Sequence, residues 1–358
     1  MSREHNICKP DYVTLPSPPY DGVSQVVFSP KNPDQLLVSA WDTTVRLYKV
    51  GENEKDTEMK GKFEHRAPVL SCAFDNESAH GFSGGLDTYV RQLDLETEKI
   101  TQLGSHDKTI STMSFARQSN ILATGSWDRT VRLWDPRSSS ASCQTSSHQT
   151  PERVYYIDTV GNYLVAALAS RLFAIYDLRK MDQPMQQRES SLKFMTRSLA
   201  CMPDGTGYAT ASVEGRIAVE YFDPSPAAQE KKYAFKCHRS TIGDVDCVWP
   251  VNSLAFHPIH NTFASAGSDG TISIWDHKVK KRLRQYPKFD APVASIAFNC
   301  DGTRLAAGVS YTWDEGPDAL NKYPAPWVGV RKVGDEVKVC HYPLPLRPEL
   351  TASQPRTK

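Results

Sequence analysis

Hydrophobic and polar positions alternate along most of this chain in short runs broken by turn residues. The alternation is clearest between Ala123 and Pro136. There, small residues lead into a polar corner, Ser126-Trp127-Asp128-Arg129, followed by Thr130-Val131-Arg132-Leu133-Trp134. Val131 and Leu133 alternate with Arg132 and the Trp134 position, the period of two of a half-buried β-strand. The run from Asn120 to Thr124 predicts its antiparallel partner, so the corner closes a hairpin. A carboxylate in a tight turn accepts hydrogen bonds from turn amides and from a nearby imidazole. Asp128, His106, Thr124 and the indole N–H of Trp134 are therefore expected to form one polar chain through the sheet.

The same pattern recurs. Aligned on the corner, the anchors are Asp42, Asp87, Asp128, Ser170, Glu214, Asp269 and Tyr311, and the differences between those numbers are 45, 41, 42, 44, 55 and 42 residues. Two units close on a Trp-Asp pair, Trp134-Asp135 and Trp275-Asp276, whereas others place Tyr48, Leu93, Tyr176 or Glu220 at the tryptophan position. This is the signature of WD repeats, and seven units of four short strands predict an all-β fold, a seven-bladed WD-repeat β-propeller. The expected domain spans residues 11–342, followed by a disordered tail over 343–358 with no apolar period.

Within that frame, Tyr12 to Leu15 reads as a lone strand able to close the ring against the last blade. The stretch SSSASCQTSSHQT, from Ser138 to Thr150, is the one low-complexity segment and is expected to be a flexible connection. KKYAFKCHRSTIGDVDCVWP predicts an outer strand plus an insertion, which accounts for the longest spacing. The last blade is interrupted after Tyr311 by TWDEGPDALNKYPAPW.

Charge changes the picture little. With 42 basic and 41 acidic residues among 358, the net charge is +1, so no global field favours nucleic acid or membrane. The basic clusters Lys280–Gln285 and Glu230–Arg239 read as solvated outer strands. There is no 18-residue apolar run, and the start MSREHNICKPDY has no apolar signal core. The eight cysteines form no C-x-x-C pair, as expected of small buried hydrophobes in a reducing compartment, cytosol or nucleus. No P-loop, H-E-x-x-H, G-x-S-x-G or paired-cysteine zinc motif is present, and adjacent Cys237 and His238 would point to opposite faces of a strand. A binding protein is expected, with no catalytic residue, metal or cofactor.

Candidate binding residues lie at the corners. Trp41 and Trp127 each precede a corner aspartate, and a tryptophan there is either a plug between blades or an exposed anchor for a partner. Two residues past the corner, other units carry Thr44, Tyr89, Thr130 and Thr271, but the fifth carries Arg216, with Arg197 on the first strand of the same unit. Two guanidiniums facing the channel would fork onto a carboxylate or phosphate. Alternatively Arg216 pairs with Glu214 or Glu220, and Arg197 lies along the blade surface.

The blocks SAWDTTVRLYKV, GSWDRTVRLWDPR, RESSLKFMTR, EGRIAVEYFDPSP, KKYAFKCHR and FHPIHNTFASAGSDG carry a resemblance over about Gly22 to Tyr311. The chain resembles the WD-repeat adaptor family of the spindle assembly checkpoint, the budding-uninhibited-by-benzimidazole propellers. Their paralogue is an mRNA-export propeller that docks on a nucleoporin and shares EGR and FKCHR. Trp41-Asp42, Tyr48 and DPSP favour the checkpoint member, whereas YTWDEG is closer to the exporter. The resemblance implies a non-enzymatic, monomeric adaptor in the nucleus and, in mitosis, at kinetochores. Its implied partners are checkpoint kinases and kinase-like proteins, through short nucleoporin-binding-type motifs bearing an acidic pair, and phosphorylated Met-Glu-Leu-Thr repeats of a kinetochore scaffold. It implies that Arg197 and Arg216 hold the phosphothreonine and that Trp41 packs on bound peptide. Trp127 and Arg239 are further candidates, Arg239 as partner of the acidic pair.

Overall fold

A computed structural model describes residues 11–138 and 142–338. The strands assemble into seven four-stranded antiparallel sheets, the blades of a propeller, plus one two-stranded hairpin. Blade one shows the pattern. Its strands Val23–Phe28, Gln35–Ala40, Thr44–Lys49 and Glu58–Glu64 lie side by side in sequence order. The second and third strands are almost wholly buried, because neighbouring blades cover both their faces, while the outer strand alternates exposed and buried positions. Near-continuous apolar runs flanked by a polar outer strand follow directly.

Closure uses both ends of the described chain. Tyr12–Thr14 pairs with Trp327–Lys332 as the outer strand of blade seven, which fastens the start of the described chain onto its last blade. The insertion in that blade carries a 3-10 helix, Pro317–Lys322. The expected tail from Pro343 lies outside the described residues. One expectation is overturned: Gln144–Gln149, within the polar low-complexity stretch, is the outer strand of blade three, paired with Thr130–Trp134. An outer strand needs few apolar side chains, so Ser, Thr, Gln and His suffice where main-chain pairing supplies the order.

The blades are stitched by a closed ring of hydrogen bonds between inner strands. A side-chain oxygen of each blade accepts a backbone N–H of the next. Gln25 takes Cys72 N–H (3.0 Å), Ser71 takes Met113 (3.0 Å), Thr112 takes Ile157 (3.1 Å) and Asp158 takes Cys201 (2.7 Å). Ser198 takes Leu254 (3.0 Å), Ser253 takes Ile296 (3.1 Å), and Ser295 takes Val26 (3.0 Å), which completes the circle. Six of these acceptors sit at a register shift of the inner strand, where the irregularity frees a side chain to turn sideways. In blade four Tyr156 occupies that position, and Asp158, two residues on, supplies the acceptor instead.

Candidate functional site: the corner face of the ring

The expected polar chain exists. In blade three His106 bonds Asp128 (2.9 Å) and Thr124 Oγ1 (2.8 Å), and the Trp134 indole N–H donates to that same hydroxyl (2.8 Å). Blade six repeats it with His238, Asp269, Ser265 and Trp275. Burial pushes the Asp128 carboxyl upward, but the His106 and Thr130 bonds outweigh it and hold the group well below the usual carboxylate range. Blades one and two keep the aspartate but ion-pair it to an arginine four residues on, Asp42 to Arg46 (2.7 Å) and Asp87 to Arg91 (2.6 Å).

In all four blades the corner aspartate also accepts the amide two residues on, from Thr44, Tyr89, Thr130 or Thr271. The residue after the corner acid is left-handed, at Thr43 (φ 65°), Thr88 (70°), Arg129 (68°), Gly215 (61°) and Gly270 (75°). Glycine adopts that conformation without steric cost, so blades five and six make the turn unstrained. Clamped carboxylates thus fix the corners and hold the residues beside them.

Because strands alternate in direction, second-to-third corners and outer-to-inner connections emerge on one face of the ring. All five candidate residues stand there, in two groups. Trp41, Trp127 and Arg197 line the mouth of the central channel, a cavity of about 1340 Å³, together with Tyr155, Met195 and Trp313. Trp41 is 44% exposed, so it is not a buried plug between blades, and Trp127 is half-buried. Arg197 reaches Asn252 (3.3 Å) and lies 3.9 Å from Asp314.

The second group surrounds Glu214. Arg216 Nε sits 2.7 Å from Glu214 Oε1, and Arg239 donates to the backbone oxygens of Glu214 (2.6 Å) and Gly215 (3.4 Å). Arg216 opens the third strand of blade five, opposite Lys236 of the outer strand, and is not among the channel-lining residues. The two guanidiniums of blade five therefore do not share the channel wall. The inner strand aims its side chain at the axis, whereas the third strand stands two strands outward. Glu220, the other partner weighed for Arg216, is instead buried against Tyr208 (3.1 Å) and Arg188 (3.5 Å).

The face is also apolar. Tyr20, Phe194, Met195 and Trp313 are each about half exposed or more. Arg239–Ile242 and Val245–Val248 form a hairpin projecting between blades five and six, with Ile242 and Val245 open to solvent. Trp313 and Asp314 escaped the sequence reading, which anchored blade seven on Tyr311. The signal was the same Trp-Asp pair that marks Trp41-Asp42 and Trp127-Asp128. Among the described residues no cluster of His, Cys, Asp and Glu fits a metal ion, and no helix is long and apolar enough to cross a membrane.

Comparison with known proteins adds the relatives. The WD domain, G-beta repeat model matches residues 97–135 and 229–276. The chain is 50% identical to mitotic checkpoint protein BUB3.1 of Arabidopsis thaliana over 84% of its length and 88% of that protein. It is 37% identical to a poly(A)+ RNA export protein of Schizosaccharomyces pombe, over 88% of this chain and 90% of that one. The crystal structure of the RRP9 WD40 repeats matches the fold with a TM-score of 0.75 at 13% identity, covering 91% of this chain and 98% of the other.

Proposed function

The chain belongs to the Bub3 family of WD40-repeat mitotic checkpoint proteins, and we propose that it acts as a mitotic checkpoint adaptor that binds extended peptides across its corner face. The partners in this reading are short motifs of checkpoint kinases and kinase-like proteins, and phosphorylated Met-Glu-Leu-Thr repeats of a kinetochore scaffold, which would bring the adaptor to kinetochores. Trp41, with Trp127, supplies apolar contact at the channel mouth. Arg216, beside Glu214, supplies charge for phosphothreonine, Arg197 supplies charge apart from it at the channel mouth, and Arg239 serves an acidic pair. The observation that carries the reading is the gathering of exposed aromatics and three guanidiniums on one rigid face. A phosphothreonine brings roughly −1.5 to −2 charges and three acceptor oxygens, chemistry that such guanidiniums recognise.

The test is a titration of the full chain with a Met-Glu-Leu-Thr peptide, phosphorylated and plain. Selective binding of the phosphorylated form supports the reading, and equal binding rejects it. The identity to an RNA export protein favours a second reading, an mRNA-export factor at the nuclear pore. Imaging separates the two: a pore rim signal through interphase speaks for export, kinetochores in prometaphase for the checkpoint.

A further inference from the structure

Blade five breaks the corner rule in three ways at once. Its corner acid is glutamate, longer by one methylene than the aspartates of the four clamped corners. The arginine stands two residues on, at Arg216, and the position four residues on, held by Arg46, Arg91 and Arg132 elsewhere, is Ala218. Whereas Asp42, Asp87, Asp128 and Asp269 each accept a turn amide, the Glu214 carboxylate has one described partner, the Arg216 side chain at 2.7 Å. The pair is also open. The Arg216 and Glu214 side chains are 35% and 20% exposed, against 7% and 0% for Arg46 and Asp42.

A carboxylate that clamps nothing, beside an arginine about one-third exposed, is shaped as a stand-in for a ligand. We infer that Glu214 is an internal competitor that occupies Arg216 until an incoming anion displaces it, and so sets the affinity threshold of this subsite. The inference rests on the phosphopeptide reading above. The ion pair forms within one short turn, so no chain-closure cost attends it, yet its exposure makes it weak. Pairs of this kind hold by a factor of up to about five. A phosphate carries nearly twice the charge of a carboxylate and can take the guanidinium in a fork, so it displaces Glu214 at small loss. An acidic side chain of an unmodified peptide offers only what Glu214 already offers. It binds weakly to begin with, and the competitor lowers that affinity further.

The test uses the full chain with three synthetic peptides of one Met-Glu-Leu-Thr repeat: phosphothreonine, plain threonine, and glutamate in the threonine position. In Glu214→Gln, affinity for the phosphorylated and the glutamate peptides should rise by a similar factor, up to about fivefold, with the plain peptide unchanged. In an Arg216→Ala background the same substitution should change nothing. A loss of phosphopeptide affinity in Glu214→Gln would mean that Glu214 orients Arg216 rather than competing for it, and would overturn the inference. So would a gain that persists without Arg216, or no gain at all in a variant that melts like the parent. If the parent binds phosphorylated and plain peptides equally, the phosphopeptide reading fails and takes this inference with it. Selectivity in the parent with no gain in the variant sinks this inference alone.

Discussion

Asp158 accepts the backbone N–H of Cys201 at 2.7 Å and so joins the inner strands of blades four and five through a carboxylate, where every other joint of the ring uses a neutral oxygen. The same carboxylate also takes the Thr159 N–H (2.8 Å) and the Ser114 hydroxyl (3.3 Å), and the latter reaches blade three. Burial raises the Asp158 pKa despite those bonds, with the Arg117 charge and the Cys201 thiol facing it. Replacing it with alanine leaves two part-buried amides without their acceptor and should cost about 1–2 kcal/mol by chemical denaturation. The pH dependence is also fixed in sign. An acid whose folded-state pKa is raised stabilises the fold most below its unfolded value and loses that contribution as pH rises through the folded value. Measured against Asp158→Asn, the parent should therefore hold its greatest relative stability in acid and lose ground on going to neutral pH. A constant difference across that range would show that the carboxylate is not desolvated.

The Thr124 hydroxyl in blade three bonds His106 and the Trp134 indole, beside a longer contact to the Arg132 carbonyl (3.3 Å). Thr124→Val preserves shape and removes both bonds in a buried site, so about 2–4 kcal/mol of stability should be lost. Trp134 is held from its other side by Gly104 of blade two, where an added Cβ would lie 2.4 Å from the ring. Gly104→Ala should therefore destabilise by a similar amount, through overpacking. Melting curves of both variants check the pair, and a neutral Gly104→Ala would show that the indole can move.

Period-two alternation and corner chemistry made the ring legible in the sequence, because every blade repeats the buried strand pair and five of the seven carry a carboxylate at the turn. The His106–Asp128 chain was readable for the same reason: its members lie within one unit at fixed offsets. The ring of inner-strand bonds was not. Its acceptors are single Ser, Thr, Gln or Asp residues, and their partners are backbone amides of another blade, which leave no mark on composition. The strand Gln144–Gln149 was hidden because an outer strand held by main-chain pairing needs little apolar character. At the candidate site, corner positions put all five candidates on one face, but the separation of Arg197 from Arg216 depends on how far each strand stands from the axis. That distance is a property of the assembled blade.

His65 opens blade two with its ring on Ser83 Oγ (2.8 Å) and the Phe63 carbonyl (3.2 Å). Burial, aided by the Arg91 charge, pushes its pKa down to about 4. A base with a depressed folded-state pKa stabilises the fold above its unfolded value, about 6.5, and loses that contribution as pH falls toward the folded value. Stability should thus decline between about pH 6.5 and 4, by up to about 3 kcal/mol from this group. His65→Gln should flatten that part of the profile, and an unchanged slope would assign it to other groups.

Arg216 and Trp41 stand in separate groups on the same face, so their substitutions should fail in different ways. Arg216→Ala removes charge at a partly exposed corner. Phosphopeptide affinity should fall more than tenfold, with plain-peptide affinity and melting temperature nearly unchanged. Trp41 is 44% exposed and offers a ring rather than a charge, so Trp41→Ala should weaken phosphorylated and plain peptides by the same factor, with a cost of about 2 kcal/mol or more if it anchors the chain. Salt separates the two further. The phosphate-dependent part of binding should weaken as ionic strength rises and the Trp41 part should not. Titrations of both variants at low and high salt check this, and a Trp41→Ala defect confined to the phosphorylated peptide would place both residues in one subsite.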